Sequence, residues 1–194
     1  MATKLGPEID EVRSRFQSNL DRVRSLVQVY EQLGTGVPGR RSVRDTDVLR
    51  SAVVLLHATL EDLLRSLAER LLPMASEDRL SPLKIPFSLG DDDKREKISL
   101  AQLAKFRGAT VDDLITQMIG HWLERSNYNN LGDIKSLLAA LEIPLELIKP
   151  YDTRLTGAMK RRHLIVHRAD RNEMTGSGHH PTVTISKPLV DTWT

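Results

Sequence analysis

Apolar side chains recur at Ile9, Val12, Phe16, Leu20, Val23, Val27 and Tyr30, at spacings of three and four residues. That period predicts a helix over 8–33 with one apolar stripe. "GTGVPGRR" breaks it. A second helix is predicted from a cap at Asp45 or Thr46 to Leu72, where Pro73 stops it. Its apolar residues (Val48, Leu49, Val53, Val54, Leu55, Leu56, Leu60, Leu63, Leu64, Leu67 and Leu71) cover most faces, so it should be the central, buried helix.

Residues 73–97 hold Pro73, Pro82, Pro86 and the charged run "GDDDKREK" and read as a long irregular connection. Short helices are expected over 99–106 and 110–125, the latter opened by a capping-box-like Thr110 to Asp113. "SNYNNLG" reads as a loop, Asp133 opens a helix through Leu141, and Pro144 begins a short helical turn. Pro150 then separates that turn from a helix over 151–171. "TVTIS" at 182–186 reads as one short extended segment at most. The pattern predicts an all-α fold, a helical bundle with a long central helix and a late helix of unusual charge. One domain is expected over 1–194: an N-terminal helix and linker (1–44), a core (45–172) and a C-terminal tail (173–194). The final "VDTWT" reads as the start of a helix, which suggests that the chain continues.

Composition narrows the chemistry. Of 194 residues, 40% are hydrophobic and 28% charged, ordinary for a folded domain. Aromatics make up 4%, too few for a stacking platform that binds single-stranded nucleic acid. The absence of cysteine excludes disulfides, thiol nucleophiles and thiolate metal sites. The N-terminus lacks an apolar core of signal-peptide length. "SAVVLLHATLEDLL" is too short and too polar to span a bilayer. A soluble, cytoplasmic protein without a membrane partner is the expectation.

Net charge is only +2, but its distribution is uneven. From Tyr151 to Arg171 there are six Lys or Arg (Arg154, Lys160, Arg161, Arg162, Arg168 and Arg171) against Asp152 and Asp170. Within this segment "KRRHLIVHRADRN", residues 160–172, surrounds an apolar core with cations and two histidines. Such a patch suits a phosphate-bearing partner, and equally a solvated helix end.

On a helix, His163 and His167 lie about 40° apart, whereas Arg162 and His167 lie about 140° apart. Three chemistries fit. The His-x-x-x-His spacing suits two metal ligands, with a third from His179, His180 or a distant acid. The zincin pattern requires Glu after the first histidine, where this chain has Leu164, so a metalloprotease is excluded. A structural reading makes the histidines a helix surface and pairs the arginines with Asp170 or Glu61. The third is phosphodiester chemistry: an arginine fork grips phosphate, and an imidazole moves protons near neutral pH. RNA supplies its own 2′-hydroxyl nucleophile, so such a site needs no metal.

"RHLIVH", Arg162 to His167, resembles the R-x-x-x-x-H motif of the HEPN superfamily (the higher eukaryote and prokaryote nucleotide-binding domain). "RRHLIVHRADRN" is most similar to the RiboL-PSP type. "LRSAVVLLHATLEDLLRSLAERLL" and "NYNNLGDIKSLLAALEIP" resemble that type's early helix and middle segment. The resemblance covers roughly residues 45–194.

The resemblance implies an α-helical bundle, usually dimeric, with two motif helices meeting at a cleft. Many members are metal-independent endoribonucleases of toxin–antitoxin, restriction, phage-defence or CRISPR settings; others are silent nucleotide-binding or structural modules. By position, Arg162 and His167 match the catalytic pair, and His163 the intervening polar residue. Glu61 matches an early-helix acid loosely, and equally reads as a partner that orients Arg162 or as a buried ion pair. His57 reads as a satisfied core histidine. Arg161, Arg168, Arg171 and Lys160 are expected to hold neighbouring phosphates, and Asp170 and Asn172 to bond these arginines or cap the helix end.

The functional expectation is a dimeric RNA endonuclease with no cofactor and no metal, acting in bacterial defence or as a toxin with an antitoxin or effector-domain partner. A silent module binding RNA, nucleotide or protein stands as the alternative, and so does a scaffold docking an acidic partner. Leu155, Met159, Leu164 or Val166, with part of the 9–30 stripe, are the candidates for the dimer contact; packing within one subunit competes for them.

Overall fold

The computed structural model describes residues 2–33, 42–81, 83, 100–172 and 182–194. The expected connection over 73–97 therefore lies largely outside the described residues, as do His179 and His180. The described chain is all-α. Its helices are α1 (Ala2–Leu33), α2 (Val43–Leu71), α3 (Glu77–Leu80), α4 (Leu100–Ala104), α5 (Val111–Arg125), α6 (Leu131–Ala140), α7 (Asp152–Arg168) and α8 (Lys187–Asp191). Single 3-10 turns lie at Leu72–Met74, Leu145–Leu147 and Lys149–Tyr151. The only β-type pairing among the described residues is one bridge between Arg171 and Thr182.

Local chemistry explains the boundaries. Helix α1 starts ahead of its apolar stripe, because the stripe marks only the turns that pack inward. Helix α2 is capped by Ser42, not by Asp45 or Thr46. The Ser42 hydroxyl accepts from the Asp45 N–H, and the Asp45 carboxylate accepts from the Ser42 N–H. Each such reciprocal cap satisfies helix-end donors that would otherwise be orphaned. The same box, Thr110 with Asp113, opens α5 as the sequence indicated. Asn130 caps α6 by accepting from the Asp133 N–H, which starts that helix two residues before Asp133.

Helix α2 is central, packing against α1, α5, α6, α7 and α8. It spans two apolar cores. Its N-terminal half (Leu49, Ala52, Val53) meets Val23, Val27 and Tyr30 of α1, with Ile185 and Val190 from the chain's end. Its C-terminal half (Leu64, Ala68), with Leu72, meets Ile119, Leu123, Tyr128, Ile134, Leu137, Leu138 and Met159. Residues 182–194 thus contribute to the apolar core. Val190 is fully enclosed and Ile185 nearly so, each burial worth about 1.5–3 kcal/mol.

Helix α7 ends at Arg168, three residues earlier than the expected 171. Ala169 and Asp170 take left-handed backbone, φ +46° and +56°. For residues with a Cβ this costs about 1–2 kcal/mol each. The chain turns because Asp170 is drawn inward, to 0% exposure. Its Oδ2 accepts from Arg50 Nε and Arg161 Nη2, both at 2.7 Å. The same Arg161 nitrogen donates to the carbonyls of Val183 and Thr184, and Arg50 Nη2 to that of Val183. The Val183 N–H returns a 2.7 Å bond to the Asp170 carbonyl. One carboxylate so joins α2, α7 and the 182–185 segment.

This tie yields a stability prediction. Asp170→Ala leaves buried Arg161 without its counter-charge and Arg50 with only the exposed Asp47, and should cost about 3–5 kcal/mol. Urea denaturation measures it; a loss under about 1 kcal/mol would show that the tie does not hold the fold.

Candidate functional site

The motif face follows from where Arg161 points. Expected on the phosphate-binding surface, Arg161 instead lies 8% exposed, its guanidinium occupied by Asp170 and two carbonyls. It cannot reach a ligand without opening the core. With Arg161 fixed inward, His163 falls about 160° away around the helix and His167 about 120° away. Both imidazoles are exposed. Their rings stand 4.7 Å apart between centroids, tilted by 46°. Lys160 and Arg168 are exposed on the same helix. Arg171 is exposed too, but it lies beyond the helix end, in the bridge to Thr182.

Arg162 occupies the margin between these faces and is half-buried. Its Nη1 donates to Asn129 Oδ1 at 3.0 Å. Asn129 belongs to the short segment between α5 and α6, next to Tyr128, which anchors that segment in the core. The Tyr128 N–H donates to Glu61 Oε1 at 3.4 Å. Glu61 therefore supports the loop that holds Arg162 and lies 3.6 Å from the His57 imidazole. Asn129 also lines a groove of about 430 Å³ with Lys160, His163, Asn130 and Thr156. The polar surface so runs from Arg162 through Asn129 to His163 and on to His167.

His57 sits one turn before Glu61 and is buried, as expected. Its Nε2 lies 3.6 Å from Glu61 Oε1, longer than an ordinary hydrogen bond. Burial pushes its imidazole below the ordinary value. Glu61 opposes that shift, Arg162 reinforces it and the Asn129 amide opposes it. The phenol of Tyr128 is pushed up to about 12, chiefly by burial.

The structure gathers Arg162, His163 and Lys160 around Asn129 and places His167 on the neighbouring exposed face. It withdraws Arg161 into the core. Asn129 was missed in the sequence, where "SNYNNLG" read only as a loop. Its one signal was a run of amides between two helices, within reach of the basic helix once folded. Among the described residues no group of three or more His, Asp or Glu could hold a metal ion. Nor is any helix long and apolar enough to cross a membrane.

The class of molecule defined by fold and site is an all-α domain with a solvent-facing Arg/Lys/His surface on a late helix. No family model matches the chain, and no curated protein or solved structure is significantly similar to it.

A pH prediction follows from His57. Its folded-state value is lowered, so the unfolded chain takes up a proton first as pH falls. The stability contributed by neutral His57 is present above the ordinary value of about 6.5 and is lost as pH drops below it. Denaturation series from about pH 7 to about pH 5 should show wild type losing more stability than His57→Gln. Parallel curves would remove His57 from the account.

Proposed function

We propose that this chain is a metal-independent endoribonuclease of the HEPN type that works as a homodimer in the cytoplasm. The observation that carries the reading is the Arg162 guanidinium. An amide carbonyl holds it, no carboxylate among the described residues pairs with it, and the Asn129 that holds it lines a groove with Lys160 and His163, whose ring stands 4.7 Å from that of His167. In this reading Arg162 stabilises the charge that develops on the phosphorane. His167 takes the 2′-hydroxyl proton. His163 and Lys160 position the neighbouring phosphate, with Arg168 and Arg171 extending the basic surface.

Arg162 and His167 lie about 140° apart on α7, so both groups meet one phosphate most simply when two copies of α7 face each other across a two-fold axis. Of the apolar candidates for that contact, Met159 is already buried within one chain and Leu155 packs on the same core. Val12, Val23, Val27 and Tyr30 of the α1 stripe are also taken. Val166, 47% exposed, and the partly buried Leu164 remain available. The second reading is a silent RNA- or nucleotide-binding module. It is favoured by the separation of Arg162 from His167 within one chain.

Purified protein should cleave structured RNA in the presence of EDTA and leave 2′,3′-cyclic phosphate ends or their hydrolysis products. Strict dependence on a divalent ion, or 3′-hydroxyl ends, would sink the mechanism. His167→Ala should lower turnover by about 10²–10⁴-fold with RNA affinity nearly unchanged. Arg168→Ala should weaken binding and flatten its salt dependence. Binding in both EDTA and magnesium with no cleavage in either would select the silent module. Mass by light scattering tests the dimer: a fully active monomer would overturn the composite site.

A further inference from the structure

A second concavity, with mostly apolar walls, lies apart from the basic surface. It lies between α1, α2, α7 and the end of the chain, with a volume of about 350 Å³, within the roughly 300–1,000 Å³ typical of small-molecule sites. Phe16 and Leu20 of α1, Val53 and Leu56 of α2, and Leu155 and Ala158 of α7 form its walls. Buried His57 contributes to the wall, and two features set the cavity apart from a packing defect. Exposed Tyr151, Arg154 and Thr192 form the mouth. Arg154 has no hydrogen-bond or ion-pair partner among the described residues, and no acidic side chain lines the cavity.

We propose that this cavity binds a single-chain anionic amphiphile, with its hydrocarbon body against Leu20, Leu56 and Leu155 and its headgroup on Arg154. Apolar walls strip water from a hydrocarbon chain. A lone guanidinium at the mouth selects a carboxylate or phosphate head over a cationic or neutral one. Met159 lines both this cavity and the Asn129–His163 groove. His57, in the wall, stands beside Glu61, which supports the loop holding Arg162. An occupant therefore touches the two side chains that back the basic surface, and binding should be sensed there whether or not that surface cleaves RNA.

The test is titration calorimetry of the full chain with decanoate and with decyl phosphate, below their micelle concentrations, and with decyltrimethylammonium as the control. One saturable site per chain is expected for at least one anion, with the cation at least tenfold weaker. Arg154→Ala should weaken the anion about two- to fivefold, the range of an exposed ion pair. Ala158→Phe, which fills the cavity, should abolish binding. Photo-crosslinking of wild type with a diazirine-bearing decanoate keeps the proposal testable if that variant fails to fold; label should fall on residues 16–20, 53–60, 151–159 or 192–194. A response to decanoate alone or to decyl phosphate alone would identify the headgroup. No saturable binding of either anion, equal binding of the cation, affinity unchanged by Arg154→Ala, or label elsewhere would each overturn the proposal.

Discussion

The Asp170 carboxylate is the constraint on which the rest of the structure depends. It sits at 0% exposure between Arg50 and Arg161. Burying a charge is unfavourable by several kcal/mol unless counter-charge and hydrogen bonds surround it. Here two guanidiniums supply the counter-charge, and carbonyls of the returning chain accept from Nη2 of each. The geometry tolerates little freedom: α2 supplies one arginine, α7 the other, and residues 183–184 close the ring. Left-handed backbone at Ala169 and Asp170 is the conformational cost of bringing the carboxylate inward.

That tie also sets the rotation of α7. Once Arg161 points into the core, the helical repeat decides everything else on that helix. Met159 packs below, Arg162 is left at the margin, and His163 and His167 face solvent. Helix α7 carries five Lys or Arg among its 17 residues. The inward Arg161 acts together with Leu155, Met159 and Ile165, which pack on the two cores, and the other cations are left toward solvent. The segment 126–130 completes it from the other side, because Tyr128 is anchored in the core while the adjacent Asn129 reaches Arg162.

His57 and Met159 connect this surface to the apolar cavity behind it. Both are buried and both line the cavity. His57 stands between a hydrocarbon-lined space and the carboxylate that supports the Asn129 loop.

The sequence by itself determined the longer helices, though not α3 within the stretch read as irregular or α8, which ends at Asp191. Three- and four-residue apolar spacing marked α1 and α2, and the Thr110–Asp113 box and the prolines marked the starts and stops. These are local signals, written within one or two turns of the residues they govern. It also placed a cluster of arginines and histidines on one late helix. What it left open was which of those cations face inward. Arg161 and Arg162 are neighbours with the same side chain, and nothing local separates them. Their fates were decided by Asp170, by Arg50 at 120 positions' remove and by the carbonyls of 183–184. The same is true of Asn129, thirty-three residues from Arg162, and of residues 182–194, whose apolar side chains found their core only against α1 and α2. Tertiary structure decided these because the energy lies in pairing buried charges and enclosing apolar surface. Both depend on groups far apart in the chain meeting in space.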